Sequence, residues 1–147
     1  MFSQTAEYAL RTVVHLTDQS PLAQTIDQIA TTTHVPKAYL SKVVQGLCRA
    51  HIVTARRGVG GGIVLAKPPG ELTILDVVNA VEPIVRIQQC PLGLKTHGEH
   101  LCPLHRQMDE TLAMIEKTFQ QTTLAEIVAE PTHSRPLCET PADKPTP

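Results

Sequence analysis

The chain has 147 residues, 41% of them hydrophobic and only 3% aromatic, with no tryptophan and a net charge of −1. That length supports one compact domain with an appended element, built on an aliphatic core of Leu, Ile, Val and Ala. No apolar stretch approaches membrane-spanning length and no charged leader precedes an apolar run, so a cytoplasmic protein with no membrane partner is expected.

Charge is unevenly spread. Residues 1–89 carry eight Lys/Arg against six Asp/Glu, and residues 90–147 carry five against eight. From Gln28 to Gly70 there is no acidic residue, while Lys37, Lys42, Arg49, Arg56, Arg57 and Lys67 fall there. A solvated face usually mixes both signs. A long one-sign stretch points to an anionic partner, and double-stranded DNA is the obvious candidate.

In chain order, Ser3 is placed to cap a first helix whose stripe of Ala6, Leu10, Val13, Val14 and Leu16 runs to about Asp18. Ser20-Pro21 breaks it. Thr25 caps a short helix with Ile26, Ile29 and Ala30 inward, and Thr31 to His34 reads as a turn. Val35-Pro36 opens a third helix, with Pro36 at its first position. Tyr39, Leu40, Val43, Val44, Leu47 and Cys48 form its buried stripe, leaving Lys37, Ser41, Lys42, Gln45 and Arg49 on other faces. A short helix, a turn and a longer basic helix make a helix-turn-helix, whose second helix enters the major groove.

Ile52 to Ala55 and Ile63 to Ala66 read as two strands around Arg56-Arg57-Gly58-Val59-Gly60-Gly61-Gly62. Directly after a helix-turn-helix, such a hairpin is a wing. Glycines at its tip let it approach the sugar-phosphate backbone, and its arginines suit the narrow minor groove. A nucleotide-binding loop would need a Lys-Ser/Thr ending and a helix immediately after it, and both are missing.

Lys67 to Gly70 is a turn, and Thr73 caps a helix through Ile74, Leu75, Val77, Val78 and Val81. The stretch Ile87–His105 then holds two of the four cysteines, three of the seven histidines and two prolines. Thiols and imidazoles at this density serve as metal ligands or redox groups. From about Leu104 a long helix carries Leu104, Met108, Leu112, Ile115 and Phe119 on one face. That stripe reads either as packing within one domain or as a homodimer seam. Thr122 or Thr123 caps a last short helix through Leu124, Ile127 and Val128. Beyond Glu130 a proline-rich segment reads as disordered, and Cys138 within it as incidental.

The expected organisation is a winged helix-turn-helix domain over 1–84, a Cys/His sensor loop over 85–103, a dimerisation helix and terminal short helix over 104–129, and a tail over 130–147. The fold class is mainly α with a two-stranded wing. Tyr39-Leu40-Ser41-Lys42, the Arg57–Gly62 wing, Leu72-Thr73 with Asp76, and Ala80-Val81-Glu82 together resemble the Rrf-two family of bacterial transcription regulators. The resemblance covers residues 1 to about 129, and the wing followed by Ala-Val-Glu is its most specific part. It implies a winged-helix homodimer on a palindromic promoter site, acting as a repressor. In many members the loop before the long helix holds an iron–sulfur cluster.

Members with a cluster commonly place three cysteines in that loop, with five residues between neighbours. Cys90 and Cys102 match the first and third. The middle position falls on Thr96, a poor ligand, with His97 beside it as a substitute. His105 matches a histidine that ligates in some members. Glu7 occupies the place of an acidic ligand supplied across the dimer in nitric-oxide-sensing members. The resemblance thus implies Cys90, Cys102 and His105 as ligands, with Glu7 or His97 as the fourth, holding a 2Fe–2S cluster in preference to a 4Fe–4S one. DNA contacts fall to Lys37, Tyr39, Ser41 and Lys42 of the helix and to Arg56, Arg57, Gly58, Gly60 and Gly61 of the wing.

Three other readings bear on the Cys/His stretch. Two Cys and two His would also satisfy zinc, and Cys90 with Cys102 could form a reversible disulfide, either giving a regulator controlled by thiol oxidation or a protein partner. His97-Gly98-Glu99 is similar to the His-x-Glu of zinc deaminases, but the Pro-Cys-x-x-Cys they require is missing, so no enzyme is expected. Single-stranded nucleic acid or RNA binding wants stacking aromatics, and this chain is poor in them. His100 reads as an exposed bystander, Cys48 as core, and His15 and His34 have no assigned role.

Overall fold

The structure is a computed structural model that describes residues 2–97, 100–131 and 134–137. Among them six α-helices and one antiparallel hairpin follow in the order α1 (Gln4–Gln19), α2 (Ile26–Thr33), α3 (Lys37–Arg49), β1 (Val53–Arg56), β2 (Gly62–Leu65), α4 (Ile74–Val81), α5 (Pro103–Gln121) and α6 (Leu124–Ala129). Glu99, Cys138 and most of the segment 130–147 expected to be disordered lie outside the described residues.

Local chemistry sets the helix starts. Ser3 Oγ accepts from the Ala6 N–H at 3.2 Å. Thr25, Thr73 and Thr123 each form a reciprocal capping box, with Gln28, Asp76 and Glu126 respectively. Pro36 stands one position before α3, and its carbonyl accepts from Leu40 at 2.8 Å.

The turn expected over Thr31 to His34 is helical as far as Thr33. The hydroxyls of Thr31 and Thr33 bond back to the carbonyls of Asp27 and Ile29, which satisfies them inside a helix. His34 then ends the helix in a left-handed conformation, φ 56°.

One core holds the elements together. Ala9, Val13 and Leu16 of α1 meet Ile29, Leu40, Val43, Leu47, Ile52, Val53, Ile63, Leu72 and Val77. Leu124 of α6 joins the same core and is fully buried, which is worth about 1.5–3 kcal/mol for a leucine. The Leu124 N–H donates to Leu72 O at 2.8 Å, and the Ile74 N–H to Thr122 O at 3.0 Å. The short final helix therefore closes back onto the winged portion.

The long helix α5 differs: none of its residues is buried. Its inner side packs on α4, and Phe119 stacks with Phe2 at a centroid distance of 5.4 Å. Leu104, Met108 and Met114 remain 65%, 48% and 69% exposed. Among the described residues no helix is long and apolar enough to cross a membrane.

Candidate nucleic-acid interface and sensor loop

Helices α2 and α3 meet across the short link at His34–Pro36, and their apolar faces fix α3 on the core. Its outer face presents Lys42, Gln45 and Arg49 to solvent. Among the described residues, Lys42, Arg49, Arg56 and Arg57 form no ion pair. Lys37 does, with its ammonium 2.6 Å from Asp27 of α2. That pair is exposed and so worth little, leaving Lys37 available to a phosphate.

Tyr39 is not the plain core residue its spacing suggests. Its ring packs edge-on against Tyr8 at 5.3 Å, and its hydroxyl lies 2.8 Å from Thr5 Oγ1. Ser41 donates to Lys37 O at 3.1 Å. Thr5, Tyr39, Lys42 and Arg49 share a shallow cavity of about 280 Å³ with Val43, Gly46 and residues of α4. Arg49 and Thr5 were not among the sequence-derived contacts. The seven-residue step from Lys42 to Arg49 marks two helical turns and would have found the first; nothing local marks Thr5.

The wing pairs Val53 with Leu65 through Arg56 with Gly62. Gly58 and Gly60 lie at the tip, between Arg57 and Gly61, and Val59 is fully exposed there. At Gly61 a Cβ would fall 2.4 Å from Arg56 O, so no other residue fits without moving the tip. At Gly62, missing from the sequence-derived set, a Cβ would fall 2.6 Å from Gln24 O. The cause is a third stretch of backbone along β2, where Gln24 N donates to Ile63 O at 2.9 Å and Ile63 N to Gln24 O at 2.7 Å.

The Cys/His stretch joins α4 to α5. Cys90 is buried, at 9% exposure. Cys102 occupies the N-cap position of α5, and its carbonyl accepts from Arg106 at 2.9 Å. One turn on, His105 Nδ1 lies 3.3 Å from Cys102 Sγ. Two ligands on one tetrahedral zinc stand about 3.5 Å apart, so this pair fits a shared metal. Among the described residues no three His, Cys, Asp or Glu side chains converge. Glu7 lies on α1, exposed, and is held by Arg11 at 2.9 Å. Thr96 and His97 fall in a single turn of 3-10 helix, Lys95–His97.

The stretch is anchored where it begins. Arg86 donates twice to Asp109 of α5, at 2.6 and 2.7 Å, and reaches Glu116 at 3.4 Å. The Ile87 N–H adds a bond to the same carboxylate at 2.8 Å. The guanidinium of Arg86 lowers Asp109 below the ordinary carboxylate range, with the Ile87 N–H contributing. A carboxylate lowered on folding stabilises above its unfolded pKa, and that contribution is lost as pH falls through the folded value. This clamp was missed because its partners lie 23 residues apart.

A helix-turn-helix with a basic outer face, followed by a glycine-tipped arginine hairpin, defines a winged-helix DNA-binding protein. The chain belongs to the Rrf2 family: the family model, described as iron-dependent transcriptional regulator, matches residues 2–130. A relative from Rhodobacter capsulatus, named as an rrf2-like HTH-type transcriptional regulator, is 32% identical over 126 residues, covering 82% of this chain and 80% of its own. Among solved structures, IscR of T. potens superposes with a TM-score of 0.74 at 18% identity, covering 90% of this chain and 88% of its own. CymR, the global cysteine regulator of B. subtilis, gives 0.71 at 22% identity, covering 86% and 95%. The protein is thus a DNA-binding transcriptional regulator and not an enzyme.

Proposed function

We propose that the protein is a cytoplasmic homodimeric repressor of a palindromic promoter site, with DNA affinity set by an iron–sulfur cluster, or a redox or nitric-oxide signal, at the Cys90–His105 loop. The observation that carries this reading is the Cys102–His105 pair at the start of α5, the helix whose apolar face is left uncovered. A ligand event there acts on the helix that would join two copies.

In the dimer two α3 helices stand about 34 Å apart in successive major grooves. Lys37, Tyr39, Ser41 and Lys42 contact DNA from α3, and Arg56 and Arg57 from the wing, where Gly58, Gly60 and Gly61 allow close approach. Cys90, Cys102 and His105 hold the cluster, 2Fe–2S in preference to 4Fe–4S, with the fourth place taken by His97 or by Glu7 of the partner subunit. Mixed Cys/His ligation raises a cluster's reduction potential and makes it sensitive to protonation. The Arg86–Asp109 clamp ties the loop to α5, so a change in the loop passes to the dimer helix.

Thr96 at the middle ligand position favours a second reading, in which the same regulator binds zinc or no metal and responds through thiol oxidation or a protein partner. Anaerobically purified protein separates the two. The cluster reading expects visible iron–sulfur absorbance that Cys102→Ser abolishes. Colourless protein with stoichiometric zinc, or with no metal, sinks the cluster.

A further inference from the structure

A cavity of about 490 Å³ lies between the C-terminal half of α1 and α2, with no wall from the wing or the Cys/His loop. That volume falls in the range of small-molecule sites, about 300–1,000 Å³. One wall is His15, only 5% exposed, whose Nε2 lies 3.2 Å from Gln24 Oε1. Among the described residues Nδ1 of His15 has no hydrogen-bond partner. Buried ring nitrogens normally have one, and this ring borders an open cavity.

The remaining walls are rich in acceptors: Asp18, Asp27, Gln28 and Thr31, with no lysine or arginine among the lining residues. The chain's own cations meet both carboxylates. Arg135 reaches Asp18 at 2.9 Å, and Lys37 reaches Asp27 at 2.6 Å. Pro136 and Leu137, next to Arg135, line the cavity. A guanidinium seated on Asp18 shows which chemistry this mouth accepts.

We infer that the cavity is an effector site for a small guanidine or amine, which displaces Arg135 from Asp18 and hydrogen-bonds toward His15. The site is tied to both DNA-reading elements. Gln24, the partner of His15, pairs through its backbone with Ile63 of the wing, and Asp27 holds Lys37 of α3. Ligand binding itself does not depend on the dimer or the cluster, so it stands or falls separately from the proposed function.

The test is calorimetric titration of the full chain with agmatine, and with succinate as the anionic control. Agmatine binding should tighten about two- to fivefold in Arg135→Ala, which removes the exposed internal competitor, and weaken at least about tenfold in Asp18→Asn. Both substitutions fall at exposed positions, and both variants should keep the wild-type melting profile. Imidazole resonances of His15 should shift with agmatine and not with succinate. Binding that ignores Arg135→Ala or Asp18→Asn, an unmoved His15, or no agmatine binding at millimolar concentration overturns the site.

Discussion

Met114→Glu is expected to turn the protein into a folded monomer and to weaken operator binding about a thousandfold. The 19 residues of α5 make a rod about 28 Å long with no buried residue. Phe2, Met114, Ile115 and Phe119 line an apolar cavity of about 420 Å³ on it. A surface of this kind is the proposed seam between two copies, and a carboxylate placed in it loses its hydration without gaining a partner. The winged portion keeps its own core, so the variant should retain its helical dichroism. One reader per molecule instead of two removes the second half-site's share of the binding free energy. Specific dimeric binding typically lies at 10⁻⁸–10⁻¹¹ M, so a loss of about three orders of magnitude is the expected scale. Sedimentation velocity checks the first part; a variant that still sediments as a dimer removes α5 as the seam.

Arg57→Ala is expected to weaken operator binding at least about tenfold at low salt and to flatten its salt dependence. Each phosphate contact contributes about 0.9 to the slope of log K against log salt, so two wings per dimer should lower the slope by about 2. Arg57 forms no ion pair among the described residues, so its charge is uncommitted before DNA arrives. Lys37→Ala should lower the slope in the same way, because its exposed pair with Asp27 is worth little and leaves the ammonium to meet a phosphate. Fluorescence anisotropy over a salt series reads both. An unchanged slope for Arg57→Ala would take the wing off the DNA.

What the sequence made legible was what depends on near neighbours. Ser3, Thr25, Thr73 and Thr123 cap helices through bonds spanning three residues, and the hairpin follows from two apolar runs around glycines. Cys102 and His105 were paired through the family resemblance, and their 3.3 Å approach on the first turn of α5 is a finding of the structure. The threonine run misled because β-branched residues suggest a break, whereas their hydroxyls bond back along the helix. Long-range pairings left no local trace. Arg86 on Asp109, Leu124 in the core and Gln24 along β2 arise only once the chain has folded. His15 gave no signal of its own, because its interest comes from the cavity that it borders.

For the candidate cluster the limit is different in kind. Cys90 and Cys102 stand either side of eleven residues, and the fourth ligand is proposed either from His97 or from another copy. A single chain's sequence encodes the donors but not their convergence, and Thr96 removes the thiol that would have made the pattern self-evident.

In the proposed function the loop before α5 governs the reader. The most direct measurement is the operator dissociation constant of anaerobically prepared protein, taken before and after exposure to a nitric-oxide donor, for the wild type and for Cys102→Ser. At least a tenfold change is expected in the wild type and none in the variant. A wild-type affinity that stays the same, or a variant that responds as strongly as the wild type, would contradict it.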